Sequence, residues 1–335
     1  MSKKILLLGG GGYIGTTITQ HFLDKGYQVF IYDAFIYDNL FINKRIIHKN
    51  LKILKEDLCD SKNLIKHLCN INIDYAVILG GLVGDPITKK YPKESTAINS
   101  NGIKNLFLTL SKKNIKRLIF ISTCSNYGFI DNNIKADEDT ELKPLSLYAE
   151  HKVEAENFLI SLKGKIDYVP TILRFATAFG LSERMRFDLT VNEFTYELYS
   201  QNKLSVYDEN TWRPYCHVKD FARLIDITLN SPKDIVDFEI FNAGGQENHA
   251  TKKQIVDEIS RLTNIKEVSY SSNGSDPRNY IVNFDKVKNK LNFVPKYSIK
   301  DGIKEILSAL NNGQFLDVDS NKNRYGNYNI NYRIT

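Results

Sequence analysis

The sequence is poor in features that would point to a secreted, metal-binding or membrane protein. No apolar run approaches the roughly 18 residues of a membrane-spanning helix, and the apolar residues near the start run straight into glycines instead of forming a secretory signal. Cysteine is scarce, and its spacing fits no paired metal-ligand motif. We therefore expect a soluble, cytoplasmic protein with no metal site and no membrane partner. The four cysteines, which we expect to be reduced thiols, are Cys59, Cys69, Cys124 and Cys216.

Charge of one sign is not concentrated anywhere in the chain. The 45 Lys and Arg residues against 39 Asp and Glu residues give a net charge of +6, and the basic residues are scattered among acids. This pattern does not require nucleic-acid binding, and it is compatible with a small anionic substrate. A hydrophobic fraction of 42% in 335 residues is enough for a substantial core in one large domain or two modest ones.

The strongest local signal is an apolar run, Ile5–Leu8, that breaks into four glycines. A buried strand followed by Gly9, Gly12 and Gly15 lets the backbone turn tightly and present the amides of a helix N-terminus to a pyrophosphate. The predicted cradle includes the intervening Tyr13 and Ile14. A merely flexible turn is the alternative.

A second strand supports the cradle, because it ends in an acid at the expected distance. Val29–Tyr32 reads as a strand, and Asp33 follows it within the roughly 20-residue offset of an acid that binds the adenosine ribose. A carboxylate there accepts hydrogen bonds from ribose hydroxyls and repels a 2′-phosphate. The cofactor is therefore expected to be NAD and not NADP.

Up to about residue 175, strand-like and helical stretches alternate, which is the pattern of a parallel sheet. Strands are expected at Leu51–Leu54 and at Tyr75–Leu79, and ligands in such sheets bind beyond the carboxyl ends of the strands. A helix-capping role for Asp57 is an equal alternative to cofactor contact. The residues expected near the dinucleotide at these two strand ends are Asp57, Leu58, Gly80, Gly81 and Leu82.

A fifth strand, Arg117–Ile121, ends in a hydroxyl-rich turn, and a helix with Tyr148 and Lys152 follows. Residues four apart share a helix face, and an adjacent ammonium favours the phenolate of a tyrosine. Such a pair could serve as a general base, although the same spacing is common on ordinary helices.

The cradle, the hydroxyl-rich turn and the Tyr–Lys helix occur in the order that is typical of the extended short-chain dehydrogenase/reductase superfamily. Over roughly residues 4–310 the sequence resembles its NAD-dependent epimerase/dehydratase branch, which acts on nucleotide sugars. The resemblance implies an α/β doubly wound parallel sheet (Rossmann) with a smaller α/β substrate-binding domain at the C-terminal side. It places the NAD-binding domain at residues 1–175 plus about 217–244 and the nucleotide-sugar domain at about 176–216 plus 245–311. The composition after about residue 311, rich in Asn, Asp, Lys, Gly and Tyr, predicts a polar tail, loosely docked or mobile, at 312–335.

The resemblance also implies roles for individual residues. Tyr148 would be the catalytic acid/base, with Lys152 as its partner and as a contact of the nicotinamide ribose, and Thr123 would bind the reacting sugar oxygen. Asn99 would order the active-site strand within the cofactor site. Phe175 and Ala176 would contact the nicotinamide.

The predicted substrate site lies mostly in the C-terminal half of the chain. Arginine suits it because its planar fork grips phosphate oxygens at two points, although Arg213 and Arg278 could instead form surface salt bridges. Asn192 is expected near the diphosphate. Val83 and Thr177 stand where galactose epimerases carry Lys and Asn, which argues against an ordinary galactose epimerase. The predicted substrate-binding residues are Val83, Thr123, Thr177, Arg184, Asn192, Arg213 and Arg278.

The residues after Thr123 limit the reactions that are possible. Cys124 and Ser125 replace the Asp–Glu pair of 4,6-dehydratases, and a cysteine one position after the threonine does not match epimerases that also invert carbons 3 and 5. The reactions that remain are those at carbon 4 of the sugar. The enzyme would be an epimerase, or a dehydrogenase or keto reductase without net epimerisation. The run Met185–Asp188 resembles enzymes of polysaccharide gene clusters that handle less common hexoses or heptoses.

Two readings from other classes stay open, a regulatory NAD-binding protein and a reductase of small carbonyls. The first is disfavoured because the Thr, Tyr and Lys are all retained, and the second by the size of the arginine-bearing C-terminal part. The resemblance also implies a homodimer through helices at about 99–111 and 148–162.

Overall fold

The computed structural model describes residues 2–130, 134–201, 203–263, 267–272 and 279–334. The strands of the described residues, in chain order, are β1 (Lys4–Leu8), β2 (Gln28–Asp33), β3 (Leu51–Lys55), β4 (Tyr75–Ile78), β5 (Arg117–Thr123), β6 (Lys135–Ala136), β7 (Val169–Phe175), β8 (Thr177–Phe179), β9 (Leu204–Tyr207), β10 (Trp212–His217), β11 (Glu239–Ala243), β12 (His249–Thr251), β13 (Val268–Ser271) and β14 (Ile281–Val282). The α-helices are α1 (Tyr13–Asp24), α2 (Ile42–Arg45), α3 (Ser61–Leu68), α4 (Asp85–Lys90), α5 (Pro92–Ser95), α6 (Ile103–Ser111), α7 (Leu147–Ser161), α8 (Thr190–Gln201), α9 (Val218–Asn230), α10 (Lys233–Val236), α11 (Lys252–Thr263), α12 (Asp285–Leu291) and α13 (Ile299–Asn311). A π-helical segment, Thr96–Gly102, runs into α6.

The predicted doubly wound sheet is confirmed. Seven parallel strands lie in the order β11-β7-β5-β4-β1-β2-β3. Successive strand residues point to opposite faces, so Ile5 and Leu7 of β1 join one core cluster and Leu6 and Leu8 join the other. Helices α1 and α9 cover the first face, and α3, α6 and α7 cover the second.

The strand order locates the cleft. From β1 the chain moves outward through β2 and β3, and then returns to place β4 on the other side of β1. The loops after β1 and β4 therefore leave the sheet in opposite directions, which opens a crevice at the carboxyl ends of these two strands.

A smaller unit follows β7. Strand β10 pairs with β8 in parallel and with β12 antiparallel, and a separate apolar cluster lies between this sheet and helices α8, α11 and α13. The cluster includes Phe179, Phe194 and Ile255, all buried. The unit overhangs the carboxyl edge of the main sheet, because β8 begins directly after β7 ends.

The expectation of a loosely docked or mobile tail is wrong for the part from Phe315 to Tyr325. Phe315, Val318 and Tyr325 are buried in a cluster with Phe187 and Leu310, and the main-chain amide of Phe187 donates a 2.7 Å hydrogen bond to the carbonyl of Tyr325. The few apolar residues of this polar segment are therefore enough to hold it on the surface that α13 and the loop after β8 provide.

Among the described residues, no helix combines the length and the apolar character needed to cross a bilayer.

Candidate active site

The glycine turn after β1 has the geometry of an anion cradle. Gly9 has a φ of +87°, and a Cβ there would lie 2.3 Å from Cα of Gly80, so this position requires glycine. Helix α1 begins after its N-cap, Gly12, which has no side chain to occupy the first amides. These amides and the positive end of the helix face the cleft, so the residues present fit a pyrophosphate.

The two acids at the ends of β2 and β3 lie on the same side of this cradle. Asp33 accepts hydrogen bonds from the amides of Gly11 (2.9 Å) and Phe35 (2.7 Å), and burial raises the pKa of its carboxyl. Asp57 accepts one from the amide of Cys59 (2.8 Å). Asp57 is not the helix cap, because the N-cap of α3 is Asp60. Asp57 instead stabilises the turn before that helix and lines the cleft.

The three predicted catalytic side chains come from β5 and α7. Thr123 ends β5, and its hydroxyl oxygen accepts a 3.1 Å hydrogen bond from the amide of Ser125. Lys152 donates to the carbonyl of Ile121 (2.7 Å), and its Nζ lies 5.9 Å from the ring centroid of Tyr148. Burial lowers the pKa of Lys152 to about 8, against the opposing effect of Glu156. A lysine so poised can change its charge near neutral pH.

A buried ion pair lies behind these residues. Glu156, one helical turn after Lys152, accepts hydrogen bonds from Arg174 on β7, with an Nη2 to Oε2 distance of 2.7 Å, and also from Ser122 and Asn126. Although burial opposes the charge, the carboxylate raises the pKa of Arg174. The pair joins α7 to the ends of β5 and β7 and so fixes the helix that carries Tyr148.

One cavity of about 610 Å³ connects the cradle to Thr123, Tyr148 and Lys152. Phe175, at the end of β7, stacks on Phe221 with 3.5 Å between the ring centroids and forms part of its wall. The sequence-predicted residues that line this cavity are Gly9, Gly12, Tyr13, Ile14, Gly15, Asp33, Asp57, Leu58, Gly80, Gly81, Val83, Thr123, Tyr148, Lys152, Phe175, Ala176, Thr177, Arg184 and Arg213.

Three predicted site residues lie behind the cavity wall. The Asn99 amide brackets Leu82, accepting from its N–H (2.8 Å) and donating to its carbonyl (2.9 Å), so both residues shape the loop after β4 from within the core. Asn192 is fully buried, and its amide is engaged by the N–H of Gly180, the hydroxyl of Tyr13 and the carbonyl of Arg186. The side-chain amide of Asn192 is thus taken up by the protein itself, and its nearness to a diphosphate stays a prediction. Arg278 lies outside the described residues.

Two predicted arginines occupy different parts of the cavity. Arg213 is buried on β10, with its guanidinium carbon 5.1 Å from the ring centroid of Tyr280. Arg184 is buried nearer the cofactor side, where it donates to Oδ1 of Asn327 (2.9 Å) and to the carbonyl of Gly326 (3.0 Å). Burial, together with Arg186, lowers the pKa of Arg184 to about 10.

Sequence reasoning missed several groups at this wall. Arg186 and Asp188 form a two-point ion pair, with distances of 2.6 and 2.9 Å, that holds the pKa of Asp188 below its usual value although burial opposes this. Glu193 also lines the cavity, and burial, reinforced by Glu197 and Asp188, raises its pKa to about 7. The run of charged residues around Arg186 was visible in the sequence, but no local pattern shows which of them turn inward.

The comparisons with known proteins agree with this geometry. Residues 5–244 match the model of the NAD dependent epimerase/dehydratase family. A protein of Bacillus subtilis described as an uncharacterized UDP-glucose epimerase is 27% identical over 315 residues, covering 92% of this chain and 98% of that protein. The UDP-glucose 4-epimerase of Lactobacillus helveticus is 24% identical, with 90% and 94% covered.

A solved structure shows the same fold. The UDP-glucose 4-epimerase of Thermotoga maritima, determined with UDP-glucose, superimposes with a TM-score of 0.83 at 23% identity, covering 92% of this chain and 99% of that one. The family match extends over most of the chain, from β1 to the residue after β11. On these grounds the chain belongs to the NAD-dependent epimerase/dehydratase family of nucleotide-sugar enzymes, with NAD as its cofactor.

Proposed function

We propose that this enzyme inverts carbon 4 of a nucleoside-diphosphate sugar, with Tyr148 as the acid/base. The observation that carries the proposal is the single cavity, which is lined at one end by the cradle and Asp33 and at the other by Thr123, Tyr148 and Lys152. A cofactor anchored at the first end and a sugar hydroxyl held at the second would lie in one continuous cavity.

The roles of the side chains follow from their positions. Bound NAD supplies a hydride acceptor that can later return the hydride. The Tyr148 phenolate takes the proton of the sugar hydroxyl and the resulting phenol gives it back, while the Thr123 hydroxyl holds the same oxygen. The Lys152 ammonium, fixed by the Ile121 carbonyl, favours the phenolate.

Arg213 is the group best suited to the substrate diphosphate. Its guanidinium is buried in the cavity wall, and its plane is supported by the ring of Tyr280. A buried arginine offers two-point hydrogen bonds to phosphate oxygens. The nucleotide would then extend toward the smaller unit and leave the sugar beside Tyr148.

Cys124 supports a restriction to carbon 4. Its thiol is buried and lies 3.1 Å from the carbonyl of Arg174, and burial raises its pKa. A thiol in this state is a poor acid or base at a sugar carbon. Cys124 therefore does not supply the acid or base that a dehydration would need at this position.

The proposal is tested with NAD and a panel of UDP-, GDP- and CDP-linked hexoses and heptoses, including sugars typical of surface polysaccharides. We expect an inverted sugar without net NADH. Accumulating NADH with a keto sugar would instead establish a 4-dehydrogenase or, in reverse, a 4-keto reductase.

Tyr148→Phe should abolish turnover and leave NADH binding intact, because it removes only the phenolic hydroxyl. Tyr270→Phe, on the partly exposed strand β13, is the matched control and should keep full activity. Turnover by Tyr148→Phe would show that another group moves the proton.

We also propose that the enzyme is a homodimer through α6 and α7. Among the apolar residues of α7, Ala155 and Leu159 are taken up by the intramolecular core. Val153 and Phe158 are only half-buried, and Leu108 on α6 is 41% exposed. Light scattering on Leu108→Glu and on the native protein tests this, and a native monomer would refute it.

A further inference from the structure

We propose that the segment Gly326–Tyr332, here named the C-terminal strap, is part of the dinucleotide site and limits the rate at which NAD leaves. Asn327, Tyr328 and Tyr332 line the same cavity as the glycine cradle and Asp33. The proposal concerns the cofactor alone and does not depend on which sugar the enzyme uses.

The root of the strap is held by apolar packing. Tyr325 is buried, and its ring lies against those of Phe187 and Phe315, with centroid distances of 6.2 and 5.7 Å. Its hydroxyl donates to a carboxylate oxygen of Asp317 (2.6 Å). The strap therefore starts from a fixed point beside the cleft.

The middle of the strap joins the two sides of the cleft. Asn327 accepts from Arg184 on the loop after β8 and donates through Nδ2 to the carbonyl of Val83 (3.1 Å), on the loop after β4. Its main-chain N–H donates to Oδ2 of Asp188 (3.2 Å). On the outer face, Lys90 of α4 donates to the carbonyl of Tyr328 (3.2 Å).

The far end of the strap reaches the adenosine end of the cleft. The main-chain N–H of Asn331 donates to the carbonyl of Ile36 (2.8 Å), on the loop that follows Asp33. The Tyr332 hydroxyl donates to Oδ2 of Asp57 (2.9 Å), beyond β3. Ile330 and Tyr332 also pack on a small apolar cluster that includes Leu82 and Ile98.

These contacts indicate which end of the strap detaches more easily. Its root is buried in a core cluster, whereas residues 330–332 at its far end are exposed or half-buried and are held by the hydrogen bonds of Asn331 and Tyr332 and a small apolar contact. Segments with few buried contacts open locally at low free-energy cost. A dinucleotide in the cleft would lie under the far end, so release requires that end to lift.

The test is the rate of NADH release, followed by the change in nicotinamide fluorescence when the loaded protein is mixed with excess NAD. A chain ending at Tyr328 removes the far end of the strap, and we expect release to be at least about tenfold faster. A chain ending at Tyr332 keeps every strap contact and should release NADH within about twofold of the full-length rate.

Full-length variants keep the test decisive if the shortened chain does not fold. Tyr332→Phe removes one hydrogen bond to a carboxylate and should accelerate release about three- to tenfold. Lys90→Met removes the hydrogen bond to the Tyr328 carbonyl on the outer face and should accelerate NADH release less than Tyr332→Phe does. Amide exchange at Asn331 should become slower when NADH is bound. An unchanged NADH release rate in both Tyr332→Phe and Lys90→Met, or tighter NADH binding by the chain ending at Tyr328, would overturn the proposal.

Discussion

Replacing Glu156 by glutamine should destabilise the protein far more than the same change at Glu154, two residues earlier on α7. Glu156 is enclosed, with 2% of its side chain exposed, and Arg174 beside it is 4% exposed. Glutamine keeps the volume but removes the charge, so the guanidinium is left buried opposite a neutral amide. Glu154 pairs with Lys104 on the surface and is 48% exposed.

The expected sizes follow from these two environments. Breaking a buried ion pair by removing one partner costs about 3–5 kcal/mol, because the remaining charge has lost its compensation. An exposed pair contributes about 1 kcal/mol or less. Glu156→Gln should therefore lower the free energy of unfolding by about 3–5 kcal/mol, which is a large part of the stability of a typical domain.

Urea unfolding followed by circular dichroism measures both variants under the same conditions. Combining Glu156→Gln with Arg174→Met removes both charges, so the double variant should be more stable than Glu156→Gln alone. Equal losses for Glu156→Gln and Glu154→Gln would refute this account of the pair. So would a double variant whose loss is the sum of the two single losses.

Two further predictions concern Lys152 and the cofactor end of the cleft. Because the pKa of Lys152 is lowered to about 8, kcat/KM should fall as the pH rises through about 8. The free energy of unfolding should increase between pH 8 and 10.5, the usual pKa of lysine, because only the unfolded chain still holds the proton there. A value of kcat/KM that stays constant up to pH 10 would contradict the role of the ammonium. Gly9→Ala should abolish NADH binding in a fluorescence titration, because the added methyl group would clash with the backbone of Gly80. The control is Gly164→Ala, at a φ of +78° with open space around it, which should cost only about 1–2 kcal/mol of stability and leave NADH binding unchanged.

The sheet could be predicted because its strands are buried on both faces. Such strands read as short continuous apolar runs, and Ile5–Leu8 and Leu118–Ile121 are of this kind. The glycine turn and the acid at the end of β2 could be predicted because their conformation depends on the backbone immediately around them. Local sequence is sufficient for both.

The positions of Asn192 and of the C-terminal strap could not be predicted in this way. Asp188 and Asn192 are four residues apart, yet Asp188 lines the cavity while Asn192 is turned into the interior, where Tyr13 and Gly180 engage it from other parts of the chain. The strap is mostly polar, and its docking depends on Arg184 and on a surface assembled from distant segments. Only the tertiary arrangement supplies these partners.

The π-helical segment before α6 makes the cleft sensitive to a change in chain length as well as in composition. A π-turn holds one residue more than an α-turn, and each residue of an α-helix advances by about 100°. Deleting one residue within Thr96–Gly102 would restore a regular α-helix and would turn part of this segment about the helix axis. If Asn99 turned with it, the loop after β4 would lose both of its bonds to the amide. In this stretch an insertion or deletion is therefore more disruptive than most substitutions, so the number of residues is itself a part of the site.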